Sequence, residues 1–290
     1  MKKLICMVLV GVMSVGALAG FKMESQSLGL EKVENARQIG GYQTADGRHV
    51  REDVLLRSGK LSGATEEDLK ILTEKYNLKQ VVDFRTSDEV SSEPDPDIEG
   101  VTNTNVRVLD ESSDTGKSAA NAMTGIYQDD PAAAMISMVE NGMVDEDMYV
   151  DVAMDEHAQE AYRQFFQILL ENEDGAVLWH CTGGKDRAGT AAVLLLSALG
   201  ADRETILDDF ALTNDFNAAK IEYMADEAAK KTDDPAVIEG VRTLTGVDRA
   251  FMEKMLDAID EKYGSMDLYL KEAVGLTEED IKNLQDKYLV

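Results

Sequence analysis

Residues 176–199 constrain this chain more than any other stretch. Asp174-Gly175 turns the chain into the short apolar run Ala176-Val177-Leu178-Trp179, and eight residues later Ala188 to Leu199 is apolar on nearly every side before Gly200 closes it. A helix that is apolar all round has to be buried. An apolar strand leading almost directly into such a helix therefore needs layers of structure on both of its sides. The flanking sequence offers them. Val54-Leu55-Leu56 and Val81-Val82 are further short aliphatic runs of the kind buried in a parallel sheet. Between them Thr65 stands three residues before Asp68 and opens a helix carrying Leu69, Ile71 and Leu72. Asn103 to Leu109 is a weaker strand candidate, and Ala158, Tyr162, Phe165 and Leu169 recur at helical spacing. Strands and helices alternating in this way predict an α/β fold. Beyond Gly200 the sequence reads as helical to its end, with breaks at Gly264-Ser265 and Gly275 and a last helix capped by Thr277.

The first residues are set apart from this pattern. Lys2 and Lys3 precede an apolar run from Leu4 to Leu18, and Ala17-Leu18-Ala19 is a small-x-small cleavage sequence. That is the layout of a secretory signal peptide over 1–19. The run is shorter than the ~20 residues of a membrane-spanning helix. Export to a secreted or extracytoplasmic location is expected, with no stable membrane insertion once the signal is removed. Residues 20–33 read as a linker and 34–290 as a single domain. Of the two cysteines, Cys6 lies in the signal run, which leaves Cys181 without an intramolecular partner. A lone thiol in an oxidising compartment is reactive, paired between chains or buried. The formal charge of −27, from 56 acidic and 29 basic residues, argues against nucleic acid, whose binding depends on Lys and Arg neutralising phosphates. Any site for an anion must be basic locally, against that field. Residues 86–179 are the acidic part, with a polar surface excursion over 112–121 and six methionines between Met123 and Met154 read as filling helix cores.

The loop joining strand to buried helix is His180-Cys181-Thr182-Gly183-Gly184-Lys185-Asp186-Arg187. Its composition fits cleavage of a phosphate ester by a thiolate. Gly183 and Gly184 allow backbone N–H groups to turn inward as an anion-binding nest, and the helix that follows adds its N-terminal dipole. Surroundings of that kind favour a cysteine thiolate. Arg187, six residues after Cys181, can close over the loop and hold two phosphoryl oxygens with its planar fork. Thr182, Gly183, Gly184, Lys185 and Arg187 thus form the candidate phosphate site. No cluster of His or Cys residues has metal-ligand spacing, so neither a metal nor another cofactor is expected.

This loop resembles that of the cysteine-dependent protein tyrosine phosphatases. More narrowly, it is similar to the bacterial tyrosine and lipid phosphatases whose loop reads His-Cys-Thr-Ala-Gly-Lys-Asp-Arg-Thr-Gly. Asn35-Ala36-Arg37, Gly40-Gly41-Tyr42, Leu56-Arg57-Ser58-Gly59 and Asp83-Phe84-Arg85 resemble that family's N-terminal motifs. Asp209-Phe210, Thr213-Asn214, Tyr263-Gly264-Ser265 and Tyr269-Leu270 resemble its C-terminal half. The resemblance implies a phosphatase-like α/β fold with a central, mostly parallel sheet flanked by helices and a helical C-terminal half. It implies a phosphocysteine at Cys181 and, as substrates, phosphotyrosine in a protein or peptide, or a phosphoinositide head group that Lys185 helps to accept. The alternatives are a primary phosphoinositide phosphatase and a low-turnover phosphate-binding protein.

For the proton donor, Asp186 is preferred, with Asp83 as its rival or as the residue orienting Arg187; a salt bridge to Arg85 is the plainer role for Asp83. His180 positions the cysteine. Arg57 and Arg85 offset the acidic background near the pocket or serve in structural ion pairs. Three departures from the family stand out. Gly184 is read as replacing Ala and loosening the loop. Gln38 occupies a position that is usually Asp, and Ala188 replaces the hydroxyl residue after the arginine.

Overall fold

The computed structural model describes residues 26–113, 130–142 and 144–290; the signal segment and most of the excursion over 112–121 lie outside them. Five strands form one sheet: β1 (Arg37–Gln38), β2 (Leu55–Ser58), β3 (Leu78–Asp83), β4 (Thr102–Asn105) and β5 (Ala176–His180). Their spatial order is β1-β2-β5-β3-β4. β1 runs antiparallel to β2, and every other pairing is parallel. β5, the last in sequence, is therefore the central strand, and all five of its residues are fully buried. The register sets His180 opposite both Ser58 and Asp83. The carboxyl ends of three parallel strands thus meet where ligands bind in open α/β sheets.

Side chains alternate across a strand, and the sheet divides the core accordingly. Val177 and Trp179 face the larger cluster, with Leu55, Val82 and Phe84; Ala176 and Leu178 face the smaller one, with Leu56, Val81 and Leu78. The smaller face is covered by helix α1 (Glu66–Lys70), which continues as a π-helical turn over Ile71–Lys75 and contributes Leu72. Thr65 and Asp68 form a reciprocal capping box at its start. Leu28 and Val33 are buried in this same cluster. The stretch 26–33 therefore packs on the sheet, a correction to the expected linker over 20–33: two spaced aliphatic residues suffice to pin it.

α2 (Ser87–Ser92) follows β3 with its own capping box between Thr86 and Glu89. β4 ends at Asn105, short of the expected Leu109, because the Asn105 amide turns to the carbonyls of Asp83 and Arg85, each at 2.9 Å. Helices α3 (Pro131–Glu140), α4 (Met148–Met154) and α5 (Glu156–Glu171) lead back to β5. The expected helical stripe of α5 is buried throughout. Of the six methionines between Met123 and Met154, Met135 is buried in a small cluster between helices and Met138 is half-buried, while Met148 and Met154 are partly buried against the larger core; Met123 and Met143 fall outside the described residues. α6 (Arg187–Leu199) buries every residue but Ser197 and ends at Gly200, whose φ of 85° forms a left-handed cap. The remaining chain is helical: α7 (Arg203–Ala211), α8 (Thr213–Phe216), α9 (Ala218–Ala229), α10 (Pro235–Thr245), α11 (Arg249–Tyr263), α12 (Met266–Glu272) and α13 (Glu278–Tyr288). Among the described residues, no helix is long and apolar enough to cross a membrane.

Candidate active site

The loop from Cys181 to Arg187 leaves the end of β5 and enters α6, and its backbone is gripped from outside at every residue up to Asp186. The Cys181 carbonyl lies 3.1 Å from His180 Nδ1. The Thr182 carbonyl accepts from the Lys60 N–H at 3.0 Å. Asn35 Nδ2 reaches the carbonyls of Gly183 and Gly184, at 3.4 and 2.9 Å. Arg57 Nη2 donates to the Gly184 and Lys185 carbonyls at 2.9 and 3.4 Å. The Asp186 carbonyl takes the Thr190 N–H at 2.8 Å and so starts the helix. In a trans peptide the N–H points opposite to the C=O, so carbonyls tied outward direct the successive amides into the loop. That arrangement is an anion-binding concavity.

Gly184 makes this path possible. Its φ is +66°, and a Cβ there would lie 2.3–2.4 Å from the backbone C and O of Ser58. A Cβ on Gly183 would meet only Lys185 carbons at 3.7–3.8 Å. The reading that Gly184 replaces the family's alanine is thus corrected: Gly183 is the position that accepts a methyl group, and Gly184 is the obligatory glycine.

Beneath the loop lies a buried polar layer built from the motif residues noted in the sequence. Asp209 accepts from Arg57 Nη1 at 2.8 Å and from the Tyr42 hydroxyl at 3.1 Å, and lies 3.5 Å from Arg37 Nε. Arg37 also reaches Asn35, the Asp209 carbonyl and the Thr213 hydroxyl. Burial, then the neighbouring Arg37, lowers the Arg57 pKa to about 10. Asp209 stays well below the usual carboxylate range despite its burial, because Arg37 and Arg57 flank it. Two guanidinium groups against one carboxylate leave a positive charge under the loop. Gln38, instead of an acid, accepts the Asp53 N–H at 2.7 Å and holds the turn between β1 and β2.

Arg187 folds back over the loop. Its two terminal nitrogens pair with Glu89, Nη1 to Oε2 at 2.7 Å and Nη2 to Oε1 at 2.9 Å, and Nη1 also reaches the Phe84 carbonyl at 3.3 Å. The Thr182 hydroxyl donates to the same Glu89 carboxylate. Glu89, not Asp83, is therefore the acid that orients Arg187. Sequence reasoning missed it, although Thr86-x-x-Glu89 is a capping-box spacing. Asp83 takes its plainer role: it binds Arg85 through both oxygens, at 2.9–3.1 Å, and is buried. Arg85 also pairs with Asp95 at 3.0 Å. Asp83, Asp95 and His180 offer atoms within 4.8 Å of one another, but both carboxylates are engaged by the Arg85 guanidinium. Arg57 and Arg85 are buried ion-pair partners and present no charge to solvent.

Asp186 and Lys185 sit at the mouth, with side chains 18% and 19% exposed and 3.1 Å apart. The Tyr149 hydroxyl of α4 donates to Asp186 Oδ1 at 2.7 Å, a second contact that spacing did not reveal. Cys181 is buried at the loop's origin and is the one free cysteine among the described residues. Ala188 is fully buried, and its carbonyl receives the Trp179 indole N–H at 3.0 Å.

A thiol at the end of a central parallel strand, a loop whose carbonyls are held from outside and a clamped arginine over it form the phosphate-binding site expected of the phosphatase class. The comparisons agree. Residues 28–290 match the model of the tyrosine phosphatase family, and the chain belongs to that family. It is 32% identical over 265 residues, 90% of this chain and 88% of the other, to a Cupriavidus necator protein named provisionally as a tyrosine-protein phosphatase. It is 26% identical to the tyrosine-protein phosphatase of Nostoc commune, over 81% of this chain and 74% of that one. A third relative, the triple specificity protein phosphatase PtpB of Mycobacterium tuberculosis, is 29% identical over 44% of this chain and 48% of its own. The chain is a phosphatase enzyme of the tyrosine phosphatase family.

Proposed function

We propose that this enzyme hydrolyses phosphomonoesters through a phosphocysteine at Cys181, acting on phosphotyrosine in proteins and, through the Lys185 cation at the mouth, on phosphoinositide head groups as well. The observation that carries the proposal is the outward tethering of each loop carbonyl from Cys181 to Asp186, which leaves the amides and Arg187 to surround a phosphoryl group. The Cys181 thiolate attacks phosphorus, and the bond to the leaving oxygen breaks as Asp186 delivers a proton to it. Water then attacks the phosphocysteine, giving a proton back to Asp186 as the sulfur leaves as thiolate. Preorganised donors around the phosphoryl oxygens supply the main stabilisation as charge shifts among them. Asp186 is favoured as the acid by its place at the mouth, Asp83 being locked to Arg85. The export signal read over 1–19 supports a mature enzyme that works outside the cytoplasm.

Phosphate release from phosphotyrosine peptide, phosphoinositide and aryl phosphate tests the proposal. Cys181→Ser should lose turnover and still bind vanadate, because the loop amides and Arg187 remain. Asp186→Asn should lose most on phosphotyrosine and least on an aryl phosphate whose phenol leaves without a proton. Multiple turnover by Cys181→Ser would overturn the nucleophile assignment.

A further inference from the structure

We infer that Asp95 is a positioning residue that holds His180 as a buried imidazolium directly behind Cys181. The His180 side chain is fully buried, and each of its ring nitrogens lies close to an oxygen, Nδ1 to a carbonyl and Nε2 to a carboxylate. Nδ1 lies 3.1 Å from the Cys181 carbonyl oxygen, which has no proton to offer, so Nδ1 must be the donor. Nε2 lies 2.9 Å from Asp95 Oδ2. That carboxylate also takes the Leu61 N–H at 2.9 Å and pairs with Arg85 at 3.0 Å, contacts that keep it ionised. The approach is out of line for a hydrogen bond, but at 2.9 Å the ionised oxygen would repel a bare Nε2 lone pair and attracts a protonated Nε2 by charge, so Nε2 carries a proton as well. An imidazole with a proton on each nitrogen is the cation.

Charge balance leads to the same assignment. The groups around His180 are Asp83 at the end of β3, with Oδ1 3.8 Å from Nδ1, then Arg85 just beyond it, Asp95 after α2, and Cys181 itself. Two carboxylates and one guanidinium leave a buried negative charge, and the imidazolium cancels it. Buried ions persist when they are paired in this way. Burial alone would push the His180 pKa down, and the Asp95 and Asp83 carboxylates outweigh it and raise it.

The consequence for the loop is a fixed cation whose N–H grips the peptide carbonyl of the nucleophile. Asp95 reaches the loop along two routes. One is His180; the other is Leu61, whose neighbour Lys60 donates its N–H to the Thr182 carbonyl. No motif spacing points to Asp95, which lies between two prolines. The link to catalysis rests on Cys181 being the nucleophile. The protonation state of His180 does not, and it is measured separately.

The chain has three histidines, His49, His157 and His180, so nitrogen-detected NMR of the ring resonances resolves each. In the wild-type protein both His180 nitrogens should stay protonated through the ordinary range near ~6.5 and beyond it. In Asp95→Asn the His180 ring should lose a proton at lower pH than in the wild type. The kcat/KM for an aryl phosphate should then fall about tenfold or more across that same titration, with Asp95→Glu restoring both. Loss of a His180 proton near ~6.5 in the wild type would overturn the inference, as would an unchanged titration in Asp95→Asn. A shifted titration with an unaltered pH profile of kcat/KM would overturn the positioning role. If Asp95→Asn does not fold by circular dichroism, the wild-type titration decides.

Discussion

Glu89 bridges three parts of the site: both terminal nitrogens of Arg187, the hydroxyl of Thr182 and the N–H of Thr86. Burial raises its carboxyl pKa, but the hydrogen bonds and charge of Arg187 prevail and bring it from 4.5 to about 2. A carboxyl depressed in the folded state stabilises fully above its unfolded pKa and loses that stabilisation as pH falls toward the folded value. The window here runs from 4.5 to about 2, and the effect is on the order of 3 kcal/mol. Glu89→Gln should therefore cost stability of that order at neutral pH and lower kcat/KM about ten- to a hundredfold as Arg187 loses its clamp. Urea unfolding at pH 7 and near pH 2 checks it: the gap between wild type and variant should close in acid, and a constant gap would exclude this role. Cys181, Arg187 and the mouth pair Lys185-Asp186 were legible in the sequence because each belongs to one contiguous loop. Glu89 was not, since its partner stands 98 residues away and its spacing announces only the start of a helix. Asp83 was half legible: the strand end was right, and the nearer Arg85 claimed the carboxylate.

The strand–loop–helix unit was readable because apolar runs of those lengths can bury themselves in few ways. The boundaries of β5 and α6 moved by one residue from expectation. What escaped was the path of the loop, which depends on contacts with Ser58, Asn35 and Arg57 from other elements. The two glycines therefore looked interchangeable in sequence and are not. Gly184→Ala would force a left-handed φ on an L-residue and a clash with the Ser58 backbone, together costing about 2–4 kcal/mol. Gly183→Ala should change stability by less than about 1 kcal/mol and keep activity. Thermal unfolding of the two variants checks the contrast; equal losses would show that the loop relaxes around the added methyl. The N-terminal segment 26–33 was missed for a related reason, because Leu28 and Val33 carry no periodicity and gain meaning only against the face of β3 and β5.

At the scale of the molecule, a chain of charge −27 must bring an anion to its loop. It does so with the loop amides, with Arg187 over them and with Arg37 and Arg57 against the single carboxylate of Asp209 beneath them, while the acidic surplus faces solvent. Fields from exposed charges are screened within about 10 Å at 0.1 M salt, and buried charges much less. Raising ionic strength should thus remove long-range repulsion faster than it weakens the site. The kcat/KM for an acidic phosphotyrosine peptide should rise severalfold between about 0.01 and 0.15 M salt, and more than that for a small aryl phosphate. Stopped assays across that range measure it, and a fall for the acidic peptide would mean that the field of the site extends beyond the acidic surface.

The central claim is that a phosphoryl group passes through Cys181, and its second step meets an unusual surrounding. Ala188 brings no hydroxyl to the departing sulfur, and the Thr182 hydroxyl is committed to Glu89. A hydrogen bond to a charged group contributes about 1.5–3 kcal/mol, so on the proposed mechanism its absence should slow breakdown of the intermediate roughly ten- to a hundredfold. The phosphoenzyme should therefore accumulate. Rapid acid quenching during turnover of an aryl phosphate, followed by mass spectrometry of the peptide containing Cys181, should find close to one phosphoryl group per chain on that cysteine and none in Cys181→Ser. A phosphoryl group on any other residue, or steady turnover with Cys181 never modified, would contradict the account.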